Sequence, residues 1–525
     1  MKRPATLHQA LLRSALTLAC AASLSACAGA ADEPLDEPLN ENEPVASDEQ
    51  ALTCSPSPPI NIERSLLVTN PAVLAEFPLH DVFDQLLAQE DTIGQGPLEL
   101  YQRWWDSQNT KAGAVFPDAI HCDDQKTANN APAINGYPIQ CPRNEGISAT
   151  TDPFDASPGN QFHVYPTAIV NRFDLAPTDG SHCGEYRIIY AKRPGPVGVI
   201  DRNLFILEMV LPNPKPACGL AGCRPVAEFW ANLSTISDPA ILAAKIKGFY
   251  FNGLPGFQPA IRAHNLGLPS NGKRLGQIRT NQFMLGLDEQ IWQLREFQLN
   301  LACGPSGCRL FFEPVTVKNN FFGALANPSF NHPNTAPFQS DFIATGQVEA
   351  LSPQDERKIT MAISDQYNAG ESTSSTASTR GTDNEYAVHL LAGGPLSPFF
   401  QGISARLASS GRADITPIDI ANRATTQSCA GCHELSSGDP LGGLRGLLPF
   451  TWPSHSAPLE FVHVDEDSNL SKPLTHVFLP HRKQVLASFL AKCVTCGGQA
   501  AQTGAASKGF VPGTGAATIG GSFTH

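Results

Sequence analysis

The chain has 525 residues, with 36 lysines and arginines against 49 aspartates and glutamates, a formal net charge of −13. That balance argues against a nucleic-acid partner, whose affinity depends on neutralising phosphates with basic side chains. Hydrophobic residues at 42% allow a sizeable core, and 14 cysteines suit an oxidising compartment better than a reducing one.

Lys2, Arg3 and Arg13 flank a short apolar stretch from Ala15 to Leu24, too short to cross a bilayer and patterned as an export signal. It ends in Leu24-Ser25-Ala26-Cys27, which resembles the lipobox of bacterial lipoproteins. The resemblance implies that residues 1–26 are removed and that Cys27 carries the lipid. With Ala28 next, it also implies an outer-membrane location facing periplasm or surface. An ordinary signal peptide cut near Ala30 is the alternative. Residues 27–59 form an acidic, proline-rich tether. Asp32-Glu33-Pro34-Leu35 is echoed by Asp36-Glu37-Pro38-Leu39, and Glu41, Glu43, Asp48 and Glu49 follow without a basic residue. Such a run buries too little apolar surface to order itself and is extended by its own charge.

Residues 60–410 are expected to form an α+β body with a large, mainly antiparallel sheet. From Asn70 to Asn109 the period is helical, with Val82, Phe83, Leu86 and Leu87 on one face, then Leu98, Leu100, Tyr101, Trp104 and Trp105. Strand-like runs follow at Arg187–Ala191, Leu204–Leu211, Glu228–Leu233, Leu294–Leu301 and Leu310–Val317. Asp238-Pro239 through Tyr250 and Ser352-Pro353 through Asn368 read as capped helices. A Ser/Thr-rich loop spans Glu371 to Thr382, and a Gly/Ala-rich tail occupies 497–525.

Two echoing segments, Ala217-Cys218 to Cys223-Arg224 and Ala302-Cys303 to Cys308-Arg309, each suit a hairpin clipped by a disulfide. Cys122 with Cys141 and Cys493 with Cys496 are further candidate pairs, while Cys54 and Cys183 have no obvious partner. Arg172, Asp174, His182, Glu185 and Arg187 lie close together and suit either a substrate cleft or, preferably, a salt-bridged turn. His264, His332 and His389 are each isolated, which favours structural roles.

The sharpest motif is Cys429-Ala430-Gly431-Cys432-His433. C-x-x-C-H is the attachment sequence of a c-type haem: two thiols bond to the porphyrin, and the adjacent histidine is held under the iron. Thr416-Pro417-Ile418-Asp419 marks a helix start upstream, and Pro480–Lys492 reads as a helix downstream. Helix, motif, loop and helix over about residues 415–496 resemble the class I cytochrome c domain. Gly438-Asp439-Pro440-Leu441-Gly442 loosely matches that family's glycine–proline segment.

The resemblance implies a small all-α haem domain at 411–496 with one haem c, attached by Cys429 and Cys432 and ligated by His433. The family usually offers methionine as sixth ligand, yet no methionine follows Met361. His455, His463, His476 and His481 are available instead, with His463 and His476 leading because they lie between the two helices. The expected function is single-electron transfer with a redox partner protein or a small-molecule donor or acceptor. A haem oxidase or peroxidase using a pocket in the body is the second possibility. A haem-free, disulfide-rich surface lipoprotein is the third, in which Cys429 and Cys432 bond each other or hold zinc with Cys493 and Cys496.

Overall fold

The structure, a computed structural model, describes residues 58–492 and Cys496 apart from 91, 93, 193–201, 286–289, 306, 376–382, 446–447 and 454–461. The expected export signal, Cys27, Cys54, most of the expected tether, His455, Cys493 and residues 497–525 therefore lie outside the described residues. Among the described residues, no helix is long and apolar enough to cross a membrane.

The strands in chain order are β1 (Leu67–Val68), β2 (Ala133–Ile134), β3 (Tyr137–Pro138), β4 (Val164–Arg172), β5 (His182–Lys192), β6 (Asn203–Pro212), β7 (Gln277–Leu285), β8 (Gln290–Gly304), β9 (Gly307–Val315), β10 (Ser372–Ser375), β11 (Pro440–Arg445) and β12 (Leu448–Thr451). Eight of them make one antiparallel sheet in the order β1-β4-β5-β6-β7-β8-β10, with β9 also on β8. The long β8 is shared along one edge: residues 291–294 pair with β10 and 296–304 with β9. The fold is thus α+β with a large antiparallel sheet, as the strand-like runs suggested.

Side chains alternate across a strand, so each strand serves two layers. Phe205, Leu207 and Met209 of β6, with Tyr186, Ile188 and Tyr190 of β5, are fully buried. On that face Trp104 stacks on Phe312 at 4.3 Å and meets Phe205 and Phe297 edge-on, while Tyr186 stacks on Trp230. The helices Leu79–Leu87, Pro97–Asp106, Arg224–Leu233 and Pro239–Phe251 supply this apolar cover.

The opposite face mixes aliphatic residues with a ladder of charges. Arg187 sits in register with Glu208, and Arg279 with Glu296; the ion pairs Arg187–Glu208 (3.2 Å), Arg279–Glu208 (3.3 Å) and Arg279–Glu296 (2.8 Å) link four strands. Charges this deeply buried persist because each guanidinium meets carboxylates directly.

The C-terminal segment covers this second face. Its helix Pro417–Thr425 starts in a capping box, Thr416 Oγ1 accepting from Asp419 N while Asp419 accepts from Thr416 N, as the motif at its start implies. The final helix runs Leu479–Ala491. The separate all-α domain is not shown. Ile420, Ala424, Leu441, Phe450, Trp452, Leu486 and Leu490 belong to the same continuous core as the body, and β11 and β12 form a hairpin. A sheet buried on both faces needs cover on both, and here the segment supplies the second.

Two expected elements differ. Glu228–Leu233 is helical, within Arg224–Leu233, because Val226, Ala227, Trp230, Ala231 and Leu233 fall on one helical face while Pro225 sits in its first turn. Ser352–Asn368 holds no long helix, only a short 3₁₀ turn at Asp365–Tyr367. The Pro353 carbonyl, which a helix would use internally, accepts instead from the buried Arg423 guanidinium, as does that of Leu351 just before it, and Arg357 N donates to the Asp355 carboxylate.

Among the described residues the disulfides are Cys122–Cys141, Cys303–Cys308, Cys183–Cys223 and Cys218–Cys496. The expected pairs Cys218–Cys223 and Cys493–Cys496 are not formed. Pro216–Cys223 is a 3₁₀ segment leading into a helix, kinked at Gly219 with φ 54°, so the two cysteines face different neighbours. Cys223 meets Cys183 on β5, and Cys218 meets Cys496 just past the final helix, where Arg224 also donates to the carbonyls of Leu490 and Lys492. Replacing Cys183 and Cys223 together with alanine is expected to lower stability by about 2–4 kcal/mol, read as a lower urea midpoint with a somewhat steeper slope, since the unfolded chain loses a cross-link and expands.

Candidate functional site

After the helix Pro417–Thr425 the chain turns at 426–428, and Cys429 begins a second short helical stretch that widens into a π turn at Gly431–Leu435. Ser428 ties this turn together: its hydroxyl donates to Thr425 O and accepts from Gly431 N. β10 pins it from outside, Ser372 accepting from Ala430 N and Ser374 donating to Glu434 at 2.6 Å. Gly431 is required by contact: a Cβ there would stand 1.7 Å from the Thr425 carbonyl oxygen. The motif is therefore a rigid turn presenting its side chains to the second face of the sheet.

A cleft of about 820 Å³, counting its open mouth, lies between that face and the C-terminal segment. The sheet contributes Val170, Ile189, Leu204, Ile206 and Leu294, and the segment contributes Val462, Val464 and Leu474. Cys429, His433 and His463 stand in the same cleft, with Arg187, Arg279, Thr280, Asn281 and Arg482 as further polar lining. Neither Cys429 nor Cys432 is in a disulfide, and both are buried.

Burial pushes the Cys429 thiol up to about 12, outweighing the opposing pull of Arg279. In the folded chain it is therefore a protonated thiol. His433 is pushed down to about 3, first by burial and then by His463 and Arg202, so its ring is neutral at ordinary pH. Asn281 Nδ2 lies 2.5 Å from His433 Nε2; the amide donates, so Nε2 accepts and carries the lone pair. The imidazole is neutral, as a metal ligand must be, but its Nε2 lone pair is engaged by the Asn281 amide, which would have to give way to a metal.

The rings of His433 and His463 face each other across the cleft, with centres 6.1 Å apart and planes at 56°. Two imidazoles on opposite sides of one metal, with metal–nitrogen distances of about 2 Å, place their centres roughly 6 Å apart. His476 is exposed on the turn Leu474–Phe478, where its Nδ1 contacts Lys472 O, and it does not line the cleft. His481 lines a separate hollow with Asp355 and Arg357. Of the two leading candidates for sixth ligand, only His463 stands beside His433.

A flat group with two reactive edge carbons, a metal centre and an acidic edge would call on cysteines, imidazoles and a cation of the kinds found here. Cys429, His433 and His463 line the cleft between aliphatic walls, whereas Cys432 is buried in the hydrophobic core and is not part of the lining. Arg482, buried on the final helix, would offset the acidic edge. Its own carboxylate neighbour, Asp174, is 4.0 Å away and already held by Arg172. Burial and the nearby guanidiniums of Arg172 and Arg187 disfavour the Arg482 charge, so an anion beside it is stabilising. The zinc alternative loses a ligand, because Cys496 is bonded to Cys218. Among the described residues no three His, Cys, Asp or Glu side chains gather as a metal site, whereas a haem iron needs only two protein ligands.

The Arg172–Asp174 and Arg187–Glu185 pairs are buried ion pairs, as the salt-bridged reading of that stretch holds. Arg187 also lines the cleft, and His182 and Glu185 line a polar hollow beside it. His264, His332 and His389 are absent from the cleft lining. Sequence reasoning missed Arg279, Asn281 and Arg482. Only Arg482 leaves a signal, as a charged residue within the buried stripe Leu479, Arg482, Leu486 and Leu490. No protein-family model, curated protein or solved structure matches this chain.

Proposed function

We propose that this chain is an envelope-anchored lipoprotein with one covalent haem c that transfers single electrons to or from a redox partner. The observation that carries the reading is a pair of buried, non-disulfide cysteines in C-x-x-C-H spacing, with Cys429, His433 and His463 lining one cleft between aliphatic walls and the two rings 6.1 Å apart. When bound, the haem supplies a reversible one-electron couple. Cys429 and Cys432 would attach it, His433 and His463 would ligate its metal, and Arg482 would offset its carboxylates. The apolar walls exclude water, and two imidazoles in place of an imidazole and a thioether set a lower potential than a His/Met site.

In this reading residues 415–496 keep the cytochrome-like order of helix, motif, loop and helix, docked on the body's sheet as part of one core. The lipobox anchors the chain through Cys27, and the acidic tether spaces it from the membrane.

The test is a pyridine haemochrome spectrum of protein made in a host with c-type haem maturation. The expected result is a c-type band that stays with the polypeptide through acid–acetone extraction. Absence of that band would overturn the reading and leave a haem-free surface lipoprotein.

A further inference from the structure

We propose that Glu466, gripped by Arg202, is the positioning residue that holds His463 across the cleft from His433. The proposal rests on the haem reading above and deepens it. His463 lies outside regular secondary structure, on a short loop between residue 461 and the helix beginning at Lys472. A ligand on a loop needs other contacts to fix its place.

The loop is braced at its base and at its tip. At the base, His463 N donates to Ser471 Oγ and Ser471 N to His463 O, while Val464 bridges Leu470. Asp465 closes the turn by accepting from the backbone N–H groups of Asp467 and Asn469. None of these contacts ties the loop to the sheet.

Glu466 does so twice. Its carboxylate accepts both arms of the Arg202 guanidinium, at 2.5 and 2.8 Å, and its carbonyl accepts from Tyr165 Oη at 3.3 Å. Arg202 stands immediately before β6, which carries Leu204 and Ile206 into the cleft wall, and Tyr165 is on β4. The carboxylate side chain is 12% exposed and the guanidinium 28%, so the pair is shielded enough for its fork geometry to matter. Only Val464 and Asp465 separate Glu466 from His463, so releasing the tip frees the ring to swing away from its position.

The experiment compares wild type, Glu466→Gln and the charge-swapped double variant Arg202→Glu/Glu466→Arg, each as full-length haem-loaded protein. Covalent haem content and the cyanide association rate are both measured. Glu466→Gln should keep its haem while cyanide associates about five- to tenfold faster, and the double variant should return toward the wild-type rate. Wild-type cyanide kinetics in Glu466→Gln at equal haem content would overturn the clamp and leave the haem reading standing. Absence of covalent haem in wild type would sink the haem reading itself. In that case amide exchange over residues 462–471 in the haem-free chain judges the clamp geometry alone: unchanged protection in Glu466→Gln would overturn that too.

Discussion

The Cys429→Ala/Cys432→Ala double variant is expected to carry no covalent haem while the polypeptide remains folded. Both thiols are buried, and Cys429 packs against Leu294, Val317 and Ala430 in a small apolar cluster. Alanine removes one sulfur from each site and leaves cavities far smaller than those of Leu→Ala changes, so stability should fall by about 1–2 kcal/mol. That loss is small beside the total stability of an ordinary domain and well short of unfolding it. The haem band, by contrast, should disappear after denaturation and extraction. The single variants should each retain a reduced band from one remaining thioether. A double variant whose extracted polypeptide still carries the band would show that attachment lies elsewhere.

Much of this arrangement was legible because local chemistry and global packing agree. The capping box at Thr416 and Asp419, the amphipathic runs around Phe83 and Trp104, and the Cys303–Cys308 hairpin each rest on near neighbours in the chain, and each is found. The misreadings share a different cause. Ser352–Asn368 has helix-like caps, but Arg423, distant in sequence, takes the Pro353 carbonyl. Cys218 and Cys223 look like a clip, yet their partners are 278 and 40 residues away. Long-range pairing leaves no trace in a single sequence.

The site divides in the same way. Cys429, Cys432 and His433 announce themselves by spacing, whereas nothing local distinguishes His463 from His476. Their fates differ because His463 lies on the braced loop against the sheet, while His476 points outward from a turn whose inward residues are Leu474, Val477 and Phe478. The docking of the C-terminal segment on the sheet was illegible for a related reason. Nothing local in the sequence marks Glu208, Arg279 and Glu296 as partners, and it is their mutual pairing across strands that lets Glu208 and Glu296 be buried on that face.

The His463→Ala variant is expected to keep its covalent haem but to open one face of it. His433 remains on the rigid turn behind Gly431, pinned by Ser372 and Ser428, so attachment and the first ligand should survive. Truncating His463 removes a ring that is partly exposed at the cleft mouth, and the loss of packing should cost no more than about 1 kcal/mol of stability. Ligand binding should change far more. Cyanide must displace an imidazole in wild type but would meet a vacant face in the variant, so affinity should rise by at least about a hundredfold, roughly 2.7 kcal/mol. The same measurement on His476→Ala should give wild-type affinity, because that ring lies outside the cleft. Equal cyanide affinity in His463→Ala and wild type would mean that His463 is not a ligand. Tight, fast cyanide binding already in wild type would favour an open haem, and with it the oxidase or peroxidase alternative. The polar hollow lined by His182, Glu185, Arg187 and Gln427 would then be the place to seek its substrate.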